Sequence, residues 1–202
     1  MEELKRRFQD PPAAYRGKPF WSWNGELEEQ ELLRQIGIFE QMGMGGYFCH
    51  SRTGLITEYL GEEWFSLINA CADEGEKRGM ETWLYDEDRW PSGTAGGMVT
   101  ADARYRLKFL RLTRVDAKAY VPADRMIAAF ESDLEGMAFT RSRRLASGEK
   151  AAAGTVLVFT VEELQPSSFY NGCTYVDTMS REAIQEFIRR TPEQYAAHSG
   201  ER

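Results

Sequence analysis

Three consecutive acidic residues directly follow a short apolar segment of the chain. Asp86, Glu87 and Asp88 come after residues 83–85, and Trp90 and a Pro-Ser-Gly turn come next. Because an unpaired carboxylate is costly to bury inside a strand, these acids must lie where the strand ends. A sugar ring stacks on an indole, and its hydroxyls donate hydrogen bonds to carboxylates. The segment therefore predicts a sugar-binding cleft.

The backbone geometry predicts how the three acids divide between two faces. Side chains alternate along an extended chain, so Asp86 and Asp88 are expected on one face and the middle acid on the other. We expect Asp86 and Asp88 to bind sugar hydroxyls and Trp90 to stack on the ring. Two alternatives remain open: an ion-pair cluster with Arg52 or Arg89, and ligation of a divalent cation such as calcium by the carboxylate oxygens.

Apart from that calcium alternative, no metal site and no cofactor are predicted. The chain has two His residues, and they lack the paired spacing of a zinc hydrolase. Cys49, Cys71 and Cys173 also lack metal-ligand spacing, and we expect them to be free thiols, buried for the most part. The catalytic residues stay unassigned.

Polar residues also follow three other short apolar segments. They are Asn24 after residues 19–23, His50 and Arg52 after residues 46–49, and Asp177 at the end of residues 174–177. Ligand sites of α/β proteins lie at the carboxyl ends of parallel strands. The residues predicted to contact substrate are Trp23, Asn24, His50, Arg52, Asp86, Asp88, Trp90 and Asp177. For Trp23, packing in the core is the alternative.

Two helices are expected between the first three of these strands. Apolar residues recur with helical spacing in residues 28–42 and 64–78, and Gly43 and Gly79 follow them, as glycines do just past helices. Repeated strand–helix units of this kind indicate an α/β fold with a parallel sheet. A complete (β/α)8 TIM-type barrel takes about 250 residues, so we expect a partial barrel with the first four strands.

The pattern changes near residue 103, which suggests an inserted β structure. Residues 105–109 alternate apolar and polar side chains, as a half-buried antiparallel strand does, and residues 126–130, 136–140 and 155–161 resemble further strands. We therefore divide the chain into three parts. They are residues 1–102 with three βα units, residues 103–165 with the antiparallel β insertion, and residues 166–202 with the fourth strand and its helix.

Composition limits the classes of partner. The chain of 202 residues has a net charge of −7, which argues against nucleic acid because phosphate binding needs a basic surface. The arginine-rich residues 102–150 are interpreted as a solvated β surface, with binding of an acidic polymer as the alternative. Neither a signal peptide nor an apolar run of about 20 residues is visible, so a cytoplasmic protein without a membrane partner is expected.

Four segments of the chain resemble successive motifs of the α-L-rhamnosidase-type enzymes of glycoside hydrolase family 106 and their relatives. They are Phe20-Trp21-Ser22-Trp23-Asn24, His50-Ser51-Arg52-Thr53-Gly54-Leu55, Tyr85-Asp86-Glu87-Asp88-Arg89-Trp90-Pro91-Ser92-Gly93 and Tyr175-Val176-Asp177-Thr178-Met179. The resemblance covers most of residues 19–100 and about 155–200. It implies a (β/α)8 catalytic domain interrupted by β structure. It also implies a catalytic Glu in an Asp-Glu-Pro type of motif, which would come after the helix that ends near His198.

That motif is absent from this sequence, so the chain alone is expected to be inactive. The resulting expectation is a glycosidase fragment that supplies the sugar-recognition half of the site for a rhamnoside or related sugar. Two alternatives stay open: a non-catalytic carbohydrate-binding half-barrel, and a truncated product without independent activity. The expected partners are the carbohydrate and either the missing part of the barrel or a second copy of the chain, because an open half-barrel has unpaired edge strands.

Overall fold

The computed structural model describes residues 1–88, 90–136 and 138–200. The chain forms two compact units, one made of residues 1–105 with 166–202 and the other of residues 106–165. The first unit contains a parallel sheet of three strands in the order β1-β2-β3. The strands are β1 (Phe20–Gly25), β2 (Gly46–Leu55) and β3 (Glu81–Leu84).

Five helices are described in the first unit. They are α1 (Glu2–Gln9), α2 (Glu29–Gln41), α3 (Glu62–Lys77), α4 (Arg181–Arg190) and α5 (Pro192–Ser199). Gly43 and Gly79 follow α2 and α3 with φ of 78° and 63°, a left-handed conformation that glycine adopts without a steric penalty. The predicted alternation of strand and helix over residues 19–86 is therefore confirmed.

The helix-facing side of the parallel sheet forms the main hydrophobic core. Trp21 and Trp23 point to this side from β1, and the indole of Trp23 lies 5.1 Å from that of Trp64 on α3. The hydroxyl of Tyr47 donates to the carbonyl of Cys71 at 2.6 Å. Trp23 is only 1% exposed, so it belongs to the core, and the predicted substrate contact of Trp23 has no open surface here.

The opposite side of the sheet is open and aromatic. Phe20 is 49% exposed and Trp83 is 47% exposed. Their rings form a connected group with Phe48, which lies 6.2 Å from Phe20 and 5.3 Å from Trp83 between ring centroids. The two sides of one sheet therefore differ sharply in burial, because helices cover only one of them.

The fourth parallel strand predicted at residues 174–177 is wrong. The parallel sheet has three strands, and β3 pairs with β2 alone among the described strands. Val176 instead packs with Ala95, Val99 and Ala183 in a separate small core. A four-residue apolar segment can form a buried sheet strand or part of a local core, and here it lines the small core. A mixed α/β chain with a parallel and an antiparallel sheet is confirmed, whereas closure into a TIM-type barrel is not shown.

The last two helices follow their sequence signals. The side chain of Ser180 caps α4 by accepting a hydrogen bond from the Ala183 N–H at 3.3 Å. Pro192 begins α5, where its missing N–H and fixed φ are tolerated. The α5 helix then packs on α3, since the indole N–H of Trp64 donates to the Tyr195 hydroxyl at 3.1 Å.

The second unit is a four-stranded antiparallel sheet with the order β4-β7-β5-β6. Its strands are β4 (Lys108–Asp116), β5 (Met126–Glu135), β6 (Ala138–Arg144) and β7 (Thr155–Glu163). Part of the strand predicted at 136–140 lies outside the described residues, at position 137. Arginines of this unit pair with carboxylates, as in the 2.7 Å contact of Arg143 with Glu131, which fits the expected solvated β surface.

Within the described part of the chain, every helix is too short or too polar to cross a membrane.

Candidate functional site

The register of the strands brings His50, Asp86 and Asp88 to one end of the parallel sheet. Ser22 pairs with His50, and Cys49 pairs with Leu84, so residues 85–88 leave β3 at the level of His50. The strand β2 continues to Leu55, and Arg52 therefore lies within it. Asn24 and Arg52 are both exposed at this carboxyl end.

His50 is fully buried within an aromatic enclosure. Its ring centroid lies 4.2 Å from that of Phe20 and 4.6 Å from that of Tyr85. Neither ring nitrogen has a hydrogen-bond partner among the described residues. Burial, with a smaller effect of the Arg52 charge, lowers the pKa of His50 from 6.5 to about 4, and the Asp88 charge opposes this shift. The imidazole is therefore neutral at pH 7.

Glu87 is the acid that meets His50. Its Oε1 atom lies 3.5 Å from His50 Nε2, and the residue is 5% exposed. Burial raises the pKa of Glu87, while a backbone hydrogen bond from Ser92 and the charge of Arg52 oppose the rise. The contact therefore joins a neutral imidazole to a carboxyl group that holds its proton more readily than an exposed one. It is not an ion pair at neutral pH.

The burial of the three acids differs from the predicted alternation. Glu87 and Asp88 are both buried, whereas Asp86 is exposed. The reason is that β3 ends at Leu84, so residues 85–88 are not part of an extended strand and the two-residue period no longer applies. Asp86 and Asp88 therefore do not present a shared face, and the middle acid contacts His50.

Asp88 holds the loop to the sheet. The hydroxyl of Ser51 on β2 donates to Asp88 Oδ1, and both residues are buried. Beside Asp88 is a cavity of about 10 Å³ lined in part by Trp90 and Asn171. That volume is near the minimum for one water molecule, so the space around Asp88 does not admit a sugar ring.

Asp86 and Trp90 are the open members of the loop. Asp86 Oδ1 accepts a hydrogen bond from the Ser92 hydroxyl at 3.0 Å. Trp90 is 55% exposed, and its ring meets Phe169 edge-on at 5.4 Å. The side-chain amide of Asn171 donates to the Trp90 carbonyl at 3.2 Å. The backbone of Trp90 is therefore fixed while its indole remains accessible.

Asp177 is held by two contacts with the backbone of the first unit. Its backbone N–H donates to the carbonyl of Tyr105 at 2.8 Å, and its Oδ1 accepts from the Met179 N–H at 3.1 Å. These contacts place it in the turn before α4. The structure thus brings His50, Arg52, Asp86 and Asp88 together, with Asn24 and Trp90 close by in the fold. Trp23 faces the core, and Asp177 lies in the turn before α4.

Sequence reasoning missed the role of Glu87 and the aromatic enclosure of His50. The sequence signal for the enclosure is the alternation of side chains along β1, because it places Phe20 on the face opposite Trp21 and Trp23. The calcium alternative has no support, since no group of three or more possible metal ligands occurs in residues 1–88, 90–136 and 138–200. The Arg89 alternative lies outside the described residues.

The comparisons with known proteins include a distant likeness to a solved structure. No protein-family model and no curated protein matches the chain. Among solved structures, a rhamnosidase from Novosphingobium sp. PP1Y matches with a TM-score of 0.43 and 18% sequence identity, over 64% of this chain. The match covers 12% of the length of that enzyme. Membership of the family suggested by the motifs is therefore not shown.

Proposed function

We propose that the first unit binds a carbohydrate, as the sugar-recognition part of a glycosidase-type site. One observation supports the proposal above all. An exposed indole, Trp90, and an exposed carboxylate, Asp86, lie in one loop at the carboxyl end of a parallel sheet, the end where α/β proteins bind ligands. Arg52 and Asn24 are exposed at the same end and supply hydrogen-bond donors.

The proposal keeps two of the contacts expected from the sequence, those of Trp90 and Asp86, and omits those of Asp88 and Trp23. Trp90 stacks on the apolar face of a sugar ring, and Asp86 accepts hydrogen bonds from its hydroxyls. Asp88 positions the loop through Ser51, without touching the sugar. Trp23 supports β1 from the core.

Recognition, and not hydrolysis, is the activity we propose for this chain. Glycoside hydrolysis generally needs two carboxyl groups on either side of the bond, one of them with a raised pKa. Burial raises the pKa of Glu87, but the group lies against His50 and is almost inaccessible. Asp86, the exposed acid next to it, accepts a hydrogen bond from the Ser92 hydroxyl. The motif resemblance makes rhamnosides the first ligands to test.

A second candidate function is that of one part of a larger assembly. The open face exposes Phe20 and Trp83, and Leu84 is exposed on the other face at the edge of β3. A groove of about 550 Å³ runs beside this edge, lined in part by Ile68 and Tyr195. Unpaired edges with apolar side chains on both faces favour pairing with another strand, from further barrel units or from a second copy.

One set of measurements tests both candidates. Titration of the purified chain with L-rhamnose and a panel of neutral and acidic sugars should give a saturable change in tryptophan fluorescence, without hydrolysis of aryl rhamnosides. Sedimentation velocity on the same sample reports self-association. If no sugar in the panel shows saturable binding, the recognition role is excluded. A dimer that binds no sugar would favour the assembly role.

A further inference from the structure

Arg52 is an exposed cation at the candidate site without an ion-pair partner among the carboxylates that the structure describes. Several other arginines of the first unit do have such partners. Arg16 contacts Asp10 at 2.5 Å, and Arg78 contacts Glu40 at 2.6 Å. The same region of sequence is rich in acids, so the lack of a partner for Arg52 needs an explanation.

The acids near Arg52 are already engaged by other groups. Asp86 accepts from Ser92, Asp88 accepts from Ser51, and Glu87 lies against His50. Burial lowers the pKa of His50, and the positive charge of Arg52 adds to that fall. Burial raises the pKa of Tyr85 and of Glu87, and the charge of Arg52 opposes both rises. The guanidinium is therefore close to this corner of the site.

His50 and Glu87, the two groups whose protonation the charge of Arg52 influences, are both buried. His50 is buried with both nitrogens unpartnered among the described residues, and its imidazole is neutral at pH 7. The Glu87 carboxyl favours its protonated form more than an exposed Glu does. An anionic group that approaches Arg52 therefore meets an exposed cation beside two buried side chains, one of them a neutral imidazole, with Asp86 as the exposed carboxylate nearby.

We propose that the ligand of this site is an acidic saccharide, whose hexuronic acid carboxylate binds the guanidinium of Arg52. This inference rests on the proposed carbohydrate-binding function and specifies its ligand class. The planar fork of a guanidinium matches the two oxygens of a carboxylate. The sugar ring would then stack on Trp90 and donate hydroxyl hydrogens to Asp86, which a simple carboxylate such as acetate cannot do.

The experiment compares matched ligands on the full chain. D-galacturonate, D-galactose and acetate are titrated at low salt while tryptophan fluorescence is recorded. We expect the uronate to bind about tenfold more tightly than the neutral sugar, since a hydrogen bond to a charged group contributes more than a neutral one. Acetate should bind more weakly than the uronate.

Variants assign the effect to Arg52. Arg52→Gln should abolish the preference for the uronate, whereas Arg52→Lys, which keeps the charge, should keep part of it. Arg181→Gln is the matched control for the loss of an exposed positive charge, because Arg181 is also exposed and lies in α4, outside the sheet. Melting curves confirm that each variant is folded.

The outcomes separate this inference from the proposed function. Galactose binding as tightly as galacturonate, or an unchanged preference in Arg52→Gln, would overturn the acidic-saccharide assignment while leaving sugar recognition intact. Acetate binding as tightly as the uronate would also overturn it, since the site would then be a simple anion site. If no sugar binds at all, both proposals fail together.

Discussion

The two faces of the parallel sheet use neighbouring residues of the same strands for different purposes. On the helix side, Trp21 and Trp23 of β1 are buried against α2 and α3. One position away on the same strand, Phe20 is half exposed. Alternation along a strand therefore separates the residues that stabilise the unit from those that remain available to a ligand or a partner.

The largest expected effect tests this difference directly. Trp23→Ala should lower the free energy of unfolding by about 3–5 kcal/mol, because a large buried side chain is replaced by a cavity. Phe20→Ala should cost about 1 kcal/mol, since its ring is already half in water. Urea denaturation of both variants at pH 7 measures the two values. Equal losses would show that the open face is as important for stability as the core.

His50 is the exception on the open face, because it is buried there and titrates. The pKa of His50 is about 4 in the folded chain against 6.5 for the free group, so the unfolded chain binds the proton first as the pH falls. The contribution of this group to stability is therefore lost between about pH 6.5 and pH 4. The pKa of Glu87 shifts in the opposite direction. The contribution of Glu87 to stability is therefore present below pH 4.5 and is lost as the pH rises through its raised pKa.

The pH dependence can be isolated with a ring-conserving variant. His50→Phe keeps an aromatic ring between Phe20 and Tyr85 but cannot titrate. Relative to the wild type, the variant should gain up to about 3 kcal/mol in free energy of unfolding between pH 7 and pH 4. Urea denaturation at both values measures this gain, because the effects of carboxylates that do not contact His50 cancel in the difference. A constant difference would mean that His50 is not shielded from solvent as its surroundings indicate.

The sequence allowed the main features of the core to be predicted, but not the arrangement of the side chains in the candidate site. The spacing of Trp21 and Trp23 placed both on one face, and Gly43 and Gly79 marked the helix ends, since these are local properties of the chain. Residues 174–177 have the same apolar pattern as a sheet strand, and only packing decides between sheet and local core.

The acids after β3 could not be assigned for a related reason. Their burial depends on the residue at which β3 ends, and an end at Leu84 places Glu87 against His50 and Asp88 against Ser51. Element boundaries are the least certain part of any reading of one sequence, and a shift of one residue exchanges the faces. The types of residue in the site were therefore predictable, but not which acid would be open.

The last comparison is between two exposed indoles, those of Trp90 and Trp83. We expect the loss of the Trp90 indole to have the smallest effect on stability and a clear effect on sugar binding. Trp90→Ala should change the free energy of unfolding by no more than about 0.5 kcal/mol, because the indole is mostly in water. It should weaken sugar binding by about threefold to tenfold through the lost stacking. Trp83→Ala is the matched control, since Trp83 is nearly as exposed but lies within β3 on the open face, beside Phe48, and not in the loop. Sugar titrations followed by calorimetry avoid relying on the fluorescence of either residue. Weaker binding in both variants would extend the ligand site along the open aromatic face, whereas weaker binding in Trp83→Ala alone would move it there and away from the loop.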